Sequence, residues 1–188
     1  MKNNAIDTGI SRTQWISLGV FLLAIAVVTV VFFRGLGRDP QALDLMTAGK
    51  PIPDFSLPNL LAESHLSRAD LTTDQGFYLM NFWGSWCPAC YDEHTFLMAL
   101  GKKHALYGVN WKDDKADALA FLQNLGNPFK QIIVDKHSEL AINMGVYGAP
   151  ETFLITADGV IIHRYAGPLD DALWQSEFVP IINQLETN

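Results

Sequence analysis

The run Phe77-Tyr78-Leu79-Met80-Asn81-Phe82-Trp83 is nearly continuous in apolar side chains, and it limits the fold more than any other stretch. A short aromatic run of this kind predicts a strand buried on both faces. It opens into Gly84-Ser85-Trp86-Cys87-Pro88-Ala89-Cys90, and Ala89–His104 then carries helical periodicity. Two cysteines three residues apart therefore sit on a strand-to-helix turn. Cys87 falls at the helix N-terminus, where unpaired N–H groups and the macrodipole favour an anion. Pro88 suits the first turn, because its missing N–H would have no helical partner there. The turn is expected to expose one sulfur, stabilise it as a thiolate and place the second one turn below to close a disulfide. The chain has 2 cysteines in all, so no structural disulfide framework competes for them.

The chain of 188 residues has room for one full domain and an appendage. The appendage is N-terminal. Trp15 to Phe33 carries no charge and is rich in Val, Leu, Ile and Phe, which predicts a membrane-spanning helix. Its exit, Phe32-Phe33-Arg34, lacks the small-residue pattern of signal cleavage, so the span is expected to stay as an anchor. Lys2 and Arg12 before the span nearly balance Arg34 and Arg38 after it. The short leading tail and the large following domain favour a cytoplasmic N-terminus and an outward domain. The expected division is a tail over 1–14, the anchor over 15–33, a linker over 34–49 with a short helical turn at Gln41–Ala48, and the main domain over 50–188. The net charge is −7; residues 1–40 contribute +2, which leaves −9 for the remainder. Such acidity argues against nucleic acid as a partner and serves solubility.

Along that domain, Pro51-Ile52-Pro53 must be extended, and Phe55-Ser56-Leu57 alternates like an edge strand. Ser64–Leu71 is expected to be a loop with one helical turn. Ala105–Trp111 predicts a strand. Asp113-Asp114 offers an N-cap to a helix striped by Ala116, Leu119, Leu122 and Leu125 and ended by Gly126. Gln131–Val134 is a short strand, and Glu139–Met144 a short helix closed by Gly145. Thr152–Ile155, the turn Ala157-Asp158-Gly159 and Val160–Tyr165 make a hairpin. Asp170–Leu185 closes the chain as an amphipathic helix that Pro180 should bend. The order predicts an α/β fold with a mixed central sheet flanked by helices, and CxxC at the end of the first core strand is the thioredoxin-like arrangement.

CxxC spacing also ligates zinc, and Cys87, Cys90 and His94 could meet on one helix face. A structural zinc site would still need a further ligand, and no second Cys pair exists, so no metal or cofactor is expected and His94 is placed at the rim of the helix. Glu93 recurs with Ala89, Leu97 and Leu100 on the apolar stripe. It is either buried against the sheet or a boundary carboxylate that reaches water; if buried, its pKa would rise, and it could relay a proton to or from Cys90. A carboxylate in that place also disfavours the Cys87 thiolate, which points towards a reductant.

Gly145-Val146-Tyr147-Gly148-Ala149-Pro150-Glu151 places a proline in a Gly-flanked turn just before a buried strand. Together with Trp83–Cys90, Glu93-His94, Asn110-Trp111-Lys112-Asp113-Asp114 and Thr152-Phe153, this segment closely resembles the DsbE/CcmG family. These are membrane-anchored, thioredoxin-like thiol:disulfide interchange proteins of bacterial cytochrome c maturation. The likeness runs from about Gly49 to the C-terminal helix; Gly84 and Tyr91 depart from the usual choices beside the motif. The resemblance implies that Cys87 is the attacking thiol, solvent-exposed, and Cys90 the resolving one. It implies that Pro150 is a cis-proline facing the disulfide, and that Glu93 and Glu151 form an acidic surround. Trp86, Tyr147, Ala149 and Glu151 would then contact substrate. The implied clients are an apocytochrome c with its Cys-x-x-Cys-His, or an intermediary maturation thiol protein. The implied electron donor is a membrane reductase of the DsbD or CcdA type, and the implied location is the inner membrane with the domain in the periplasm. Other readings are a general reductase of the TlpA or ResA type, a metal module using Cys87, Cys90 and His94, and a peptide-binding holdase.

Overall fold

A computed structural model describes residues 12–36 and 48–186. They fall into two compact units, divided between Ala42 and Leu43. The first holds one helix, α1 (Arg12–Leu36), whose segment Trp15–Phe32 has a mean hydropathy of 2.7 and presents its side chains outward. By length and composition it can cross a bilayer. The expected tail and most of the linker, including the helical turn placed at Gln41–Ala48, lie outside the described residues.

The second unit is built on a five-stranded sheet in the order β5-β4-β3-β6-β7. Its strands are β3 (Phe77–Trp83), β4 (Leu106–Trp111), β5 (Gln131–Asp135), β6 (Glu151–Thr156) and β7 (Ile161–Ala166). The β3–β4 and β4–β5 pairs are parallel, whereas β6 runs antiparallel to both β3 and β7. β3 is central and buried at every residue, as its unbroken apolar run requires. Its alternate side chains supply two cores. Phe77, Leu79 and Trp83 pack with residues of α2 (Pro88–Leu100), α3 (Lys115–Leu125) and the C-terminal helical segment. Tyr78, Met80 and Phe82 pack with α4 (Glu139–Asn143) and with a separate two-stranded hairpin of β1 (Ser56–Pro58) and β2 (His65–Ser67). Each such buried aromatic contributes about 1.5–3 kcal/mol over leaving it exposed. Gly108 on β4 is what lets Trp83 in, since a Cβ there would press on its indole nitrogen and on Phe129.

Four local expectations change. Ser64–Leu71 is not simply a loop, because His65–Ser67 pairs with β1 before a 3-10 turn at Arg68–Asp70. The buried stripe of α3 is Ala118, Phe121 and Leu122, while Ala116 and Leu125 face water. Asp114 stands at the N-cap of α3 without a side-chain cap bond, and Asp113 is turned elsewhere. The C-terminal segment is not one α-helix: α5 (Asp171–Leu173) passes through a π turn, Trp174–Phe178, into α6 (Val179–Glu186). Pro180 has no N–H to return to the Ser176 carbonyl, and the turn just before it is widened, the Val179 N–H reaching the Trp174 carbonyl.

The sheet directions decide what meets at one end. β3 and β4 both run towards that end, and β6 starts from it: Trp83 pairs with Asn110, and Phe82 with Glu151. The turns after β3, after β4 and before β6 are therefore neighbours.

Candidate redox-active site

Cys87 is the N-cap of α2, with extended backbone (φ −96°, ψ 107°), and Pro88 opens the helix. Cys87 and Cys90 form a disulfide across a Cα–Cα distance of 5.3 Å. The Cys90 N–H points at Cys87 Sγ at 3.2 Å, a contact that would stabilise a thiolate there once the bond is reduced. The Ala149 carbonyl oxygen lies 3.3 Å from the same sulfur and acts in the opposite sense, since it can accept only from the protonated thiol. The Ala149–Pro150 peptide bond is cis.

Cys87 is not the exposed sulfur residue that the motif suggested. It and Cys90 are each 2 % exposed in the disulfide form, because the Ala149–Pro150 turn lies against them. Exposure belongs instead to the rim: Trp86 and Tyr147 are about half exposed. The Trp86 indole folds over Gly84, where any Cβ would collide with the ring, so that glycine has a packing reason. Its Nε1 donates to the Trp111 carbonyl at 3.0 Å. Tyr91 closes the other side, donating its hydroxyl to the Ser85 carbonyl at 3.1 Å while its ring meets Phe121 edge-on.

Asp113 secures this loop, a role the sequence reading missed. Its carboxylate accepts the Ser85 N–H at 2.6 Å, the Ser85 hydroxyl at 2.7 Å, the Asn110 amide at 2.8 Å and the Asp114 N–H at 2.9 Å. A buried carboxylate with four donors ties the turn after β3 to the turn after β4. The signal was the pair Asp113-Asp114, whose expected role is an N-cap to α3.

Glu93 lies one helical turn beyond Cys90 and is 1 % exposed. Its Oε1 accepts the Asn81 side-chain amide at 2.9 Å, and its Oε2 accepts the Leu169 N–H at 2.9 Å. Burial pushes its carboxyl up to about 7, against the lowering effect of those two bonds. His94 is buried rather than at the rim: its Nε2 donates to the Gly126 carbonyl at 3.1 Å, its ring stands edge-on to Phe121, and burial lowers its pKa.

Glu151, expected to contact substrate, is also 1 % exposed, and its carboxylate faces inward. It forms an ion pair with Arg164 of β7 at 2.6 Å and accepts the N–H groups of Tyr147 and Gly148 at 3.0 and 2.9 Å. The Arg164 guanidinium stacks 5.0 Å from the Tyr147 ring. Glu151 thus holds the backbone of Tyr147 and Gly148 ahead of Pro150, and its side chain is not exposed for contact. A cation on the strand beside it is what makes that burial tenable.

A buried CxxC disulfide at the N-terminus of a helix, faced by a cis-proline turn on a mixed five-stranded sheet, defines a thioredoxin-like thiol:disulfide oxidoreductase. The Redoxin family matches residues 47–178. A relative in Pasteurella multocida named "Probable thiol:disulfide interchange protein DsbE-2" is 46% identical over 166 residues, covering 88% of this chain and 87% of that one. The thiol:disulfide interchange protein DsbE of Escherichia coli K12 is 38% identical over 168 residues, covering 88% and 91%. The thioredoxin domain of a thiol-disulfide oxidoreductase from Bacteroides vulgatus shares the fold at a TM-score of 0.57, with 19% identity over 70% of this chain and 95% of that one. The chain belongs to the redoxins, in the DsbE family of thiol:disulfide interchange proteins.

Proposed function

We propose that this oxidoreductase is a membrane-tethered reductant, held by α1 with its N-terminus in the cytoplasm and its domain in the periplasm, and that it serves cytochrome c maturation. Reduced Cys87, as thiolate, attacks a disulfide in the client, and the displaced client sulfur leaves as a thiolate. Cys90 then gives its proton to Glu93 and attacks Cys87, so the Cys87–Cys90 disulfide forms and the second client sulfur is released. Two electrons pass to the client, leaving two thiols there. The client is an apocytochrome c Cys-x-x-Cys-His pair or an intermediary maturation thiol protein. A DsbD- or CcdA-type membrane reductase returns the electrons. Tethering raises the effective concentration near membrane-bound partners.

The observation that carries the reductive direction is the buried Glu93 carboxyl on the Cys90 face of α2. A carboxylate enclosed there opposes thiolate formation, and a dithiol whose thiolate is poorly stabilised gives up electrons more readily. The Ala149 carbonyl beside Cys87 acts in the same sense. Trp86 and Tyr147 at the rim supply the apolar surface for an extended client segment, and the turn before Pro150 supplies backbone to pair with it.

Cys90→Ser in the full-length protein is expected to accumulate mixed disulfides on Cys87 in cells, with c-type apocytochromes or a thiol protein of their assembly among the captured chains. Capture on Cys90 in Cys87→Ser, with none on Cys87, would reverse the roles. Capture confined to other envelope proteins would point to a general TlpA- or ResA-type reductase.

A further inference from the structure

Asn81 is an amide in a strand that is otherwise apolar and aromatic, and it is fully buried. Its Nδ2 donates to Glu93 Oε1 at 2.9 Å and to the Thr152 hydroxyl oxygen at 3.0 Å. Its Oδ1 is buried with no hydrogen-bond partner. A buried carbonyl left without a donor is costly, and its presence asks for a reason. The bonding capacity of Glu93 supplies one. Both carboxylate oxygens face donors, Asn81 Nδ2 at Oε1 and the Leu169 N–H at Oε2, an arrangement suited to the ionised acid. The neutral acid carries a hydrogen that needs an acceptor. At Oε2 that hydrogen would meet a backbone N–H that cannot become an acceptor. At Oε1 it would meet a primary amide, which can.

We propose that Asn81 is a positioning residue whose amide turns over as Glu93 gains a proton: Nδ2 faces the carboxylate, Oδ1 faces the carboxylic acid, and the Thr152 hydroxyl changes from acceptor to donor. This rests on the reading of Glu93 as the proton carrier for Cys90. In that step the Cys90 S–H bond breaks and a Glu93 O–H bond forms. The Cys90 thiolate electron pair then attacks Cys87, and the client sulfur leaves with the electron pair of its bond. The idle Oδ1 is the acceptor held ready for that proton. Among the described residues, the groups that act on the Glu93 carboxyl are burial, the Leu169 N–H and the Asn81 amide, with no cation among them. Cys90 shares its helix, Asn81 comes from β3, Thr152 from β6 and Leu169 from the turn after β7. Burial raises the phenol pKa of Tyr165 on β7, and the charges of Asp170, Glu177 and, least, Glu93 add to it.

The test is nuclear magnetic resonance of the full chain in detergent micelles, with 15N in asparagine side chains and 13C in glutamate carboxyls. The oxidised protein is titrated over about pH 5 to 9, a range that brackets the raised carboxyl. The Asn81 amide shifts are expected to inflect at the Glu93 carboxyl midpoint, and that inflection is expected to be lost in Glu93→Gln. Thr152→Val, which removes the reversing hydroxyl, is expected to displace the midpoint of both. An Asn81 amide that stays flat while Glu93 titrates in the wild-type protein overturns the proposal, as does an inflection that survives Glu93→Gln. The parent reading fails separately: if Glu93→Gln leaves the rate at which Cys90 resolves a mixed disulfide unchanged, Glu93 does not carry its proton, and a moving Asn81 amide still supports the turnover.

Discussion

Replacing Arg164 with methionine is expected to cost about 3–5 kcal/mol of domain stability, because it strands the Glu151 carboxylate in the core. The two side chains are 3 % and 1 % exposed, so water cannot take over the lost partner. Burial already raises the Glu151 carboxyl, with the Tyr147 and Gly148 N–H groups and Arg164 holding it down. Without the guanidinium that balance tips further, and the variant is expected to bind a proton on folding. For a domain of this size the loss corresponds to a fall in melting temperature on the order of 10 °C. Thermal unfolding of the oxidised protein measures it. The loss should be partly recovered in Arg164→Met with Glu151→Gln, which removes the charge and keeps an acceptor for the Tyr147 and Gly148 N–H groups. Arg164→Met alone falling within about 1 kcal/mol of wild type would show that the ion pair does not hold the turn before Pro150.

A second large effect is expected in the pH dependence of stability. The Glu93 carboxyl stands at about 7 in the folded chain against 4.5 as a free group. A raised folded pKa means that the fold prefers the neutral acid. Below pH 4.5 folded and unfolded chains are both protonated there, and the preference is fully satisfied. As pH rises the unfolded chain ionises first, and stability drains away until the folded carboxyl ionises near pH 7. The difference of roughly 2.5 units corresponds to about 3 kcal/mol. Glu93→Gln should lack this slope, so wild type is expected to lose about 3 kcal/mol relative to the variant between about pH 4 and pH 8. Urea unfolding at several pH values checks it. Parallel stability profiles would mean that the carboxyl is not held neutral by its surroundings.

The parts of the molecule that local pattern can encode were readable from the residues. The apolar run of β3, the proline after Cys87 and the Ala157-Asp158-Gly159 turn announce their structures through backbone and burial rules that act over a few residues. β2 was hidden because three residues with polar flanks become a strand only by pairing with β1. The face of α3 was misplaced because leucines at helical spacing compete with Phe121, and only Tyr91, His94 and Trp83 around that ring decide which side turns inward. At the site, the positions of Cys87, Cys90 and Glu93 on α2 could be placed from spacing, but coverage could not. Cys87 is closed over by a turn 62 residues away in sequence. Glu151 is buried because its cation sits on the next strand, and His94 because the end of α3 offers it a carbonyl. Asn81 and Asp113 carried weak signals, one amide in an apolar run and one acid beside another. Each became informative only when its partners from distant segments could be counted.

The most direct test of the account is the equilibrium reduction potential of the Cys87–Cys90 pair in the full-length protein, measured against glutathione or dithiothreitol buffers in mild detergent. A buried carboxyl on the Cys90 face and a carbonyl against Cys87 both disfavour thiolate, so the expected result is a reductant in the range of roughly −200 to −270 mV spanned by glutaredoxins and thioredoxin. A value near about −120 mV, that of the strong oxidant DsbA, would contradict it and reverse the direction of electron flow.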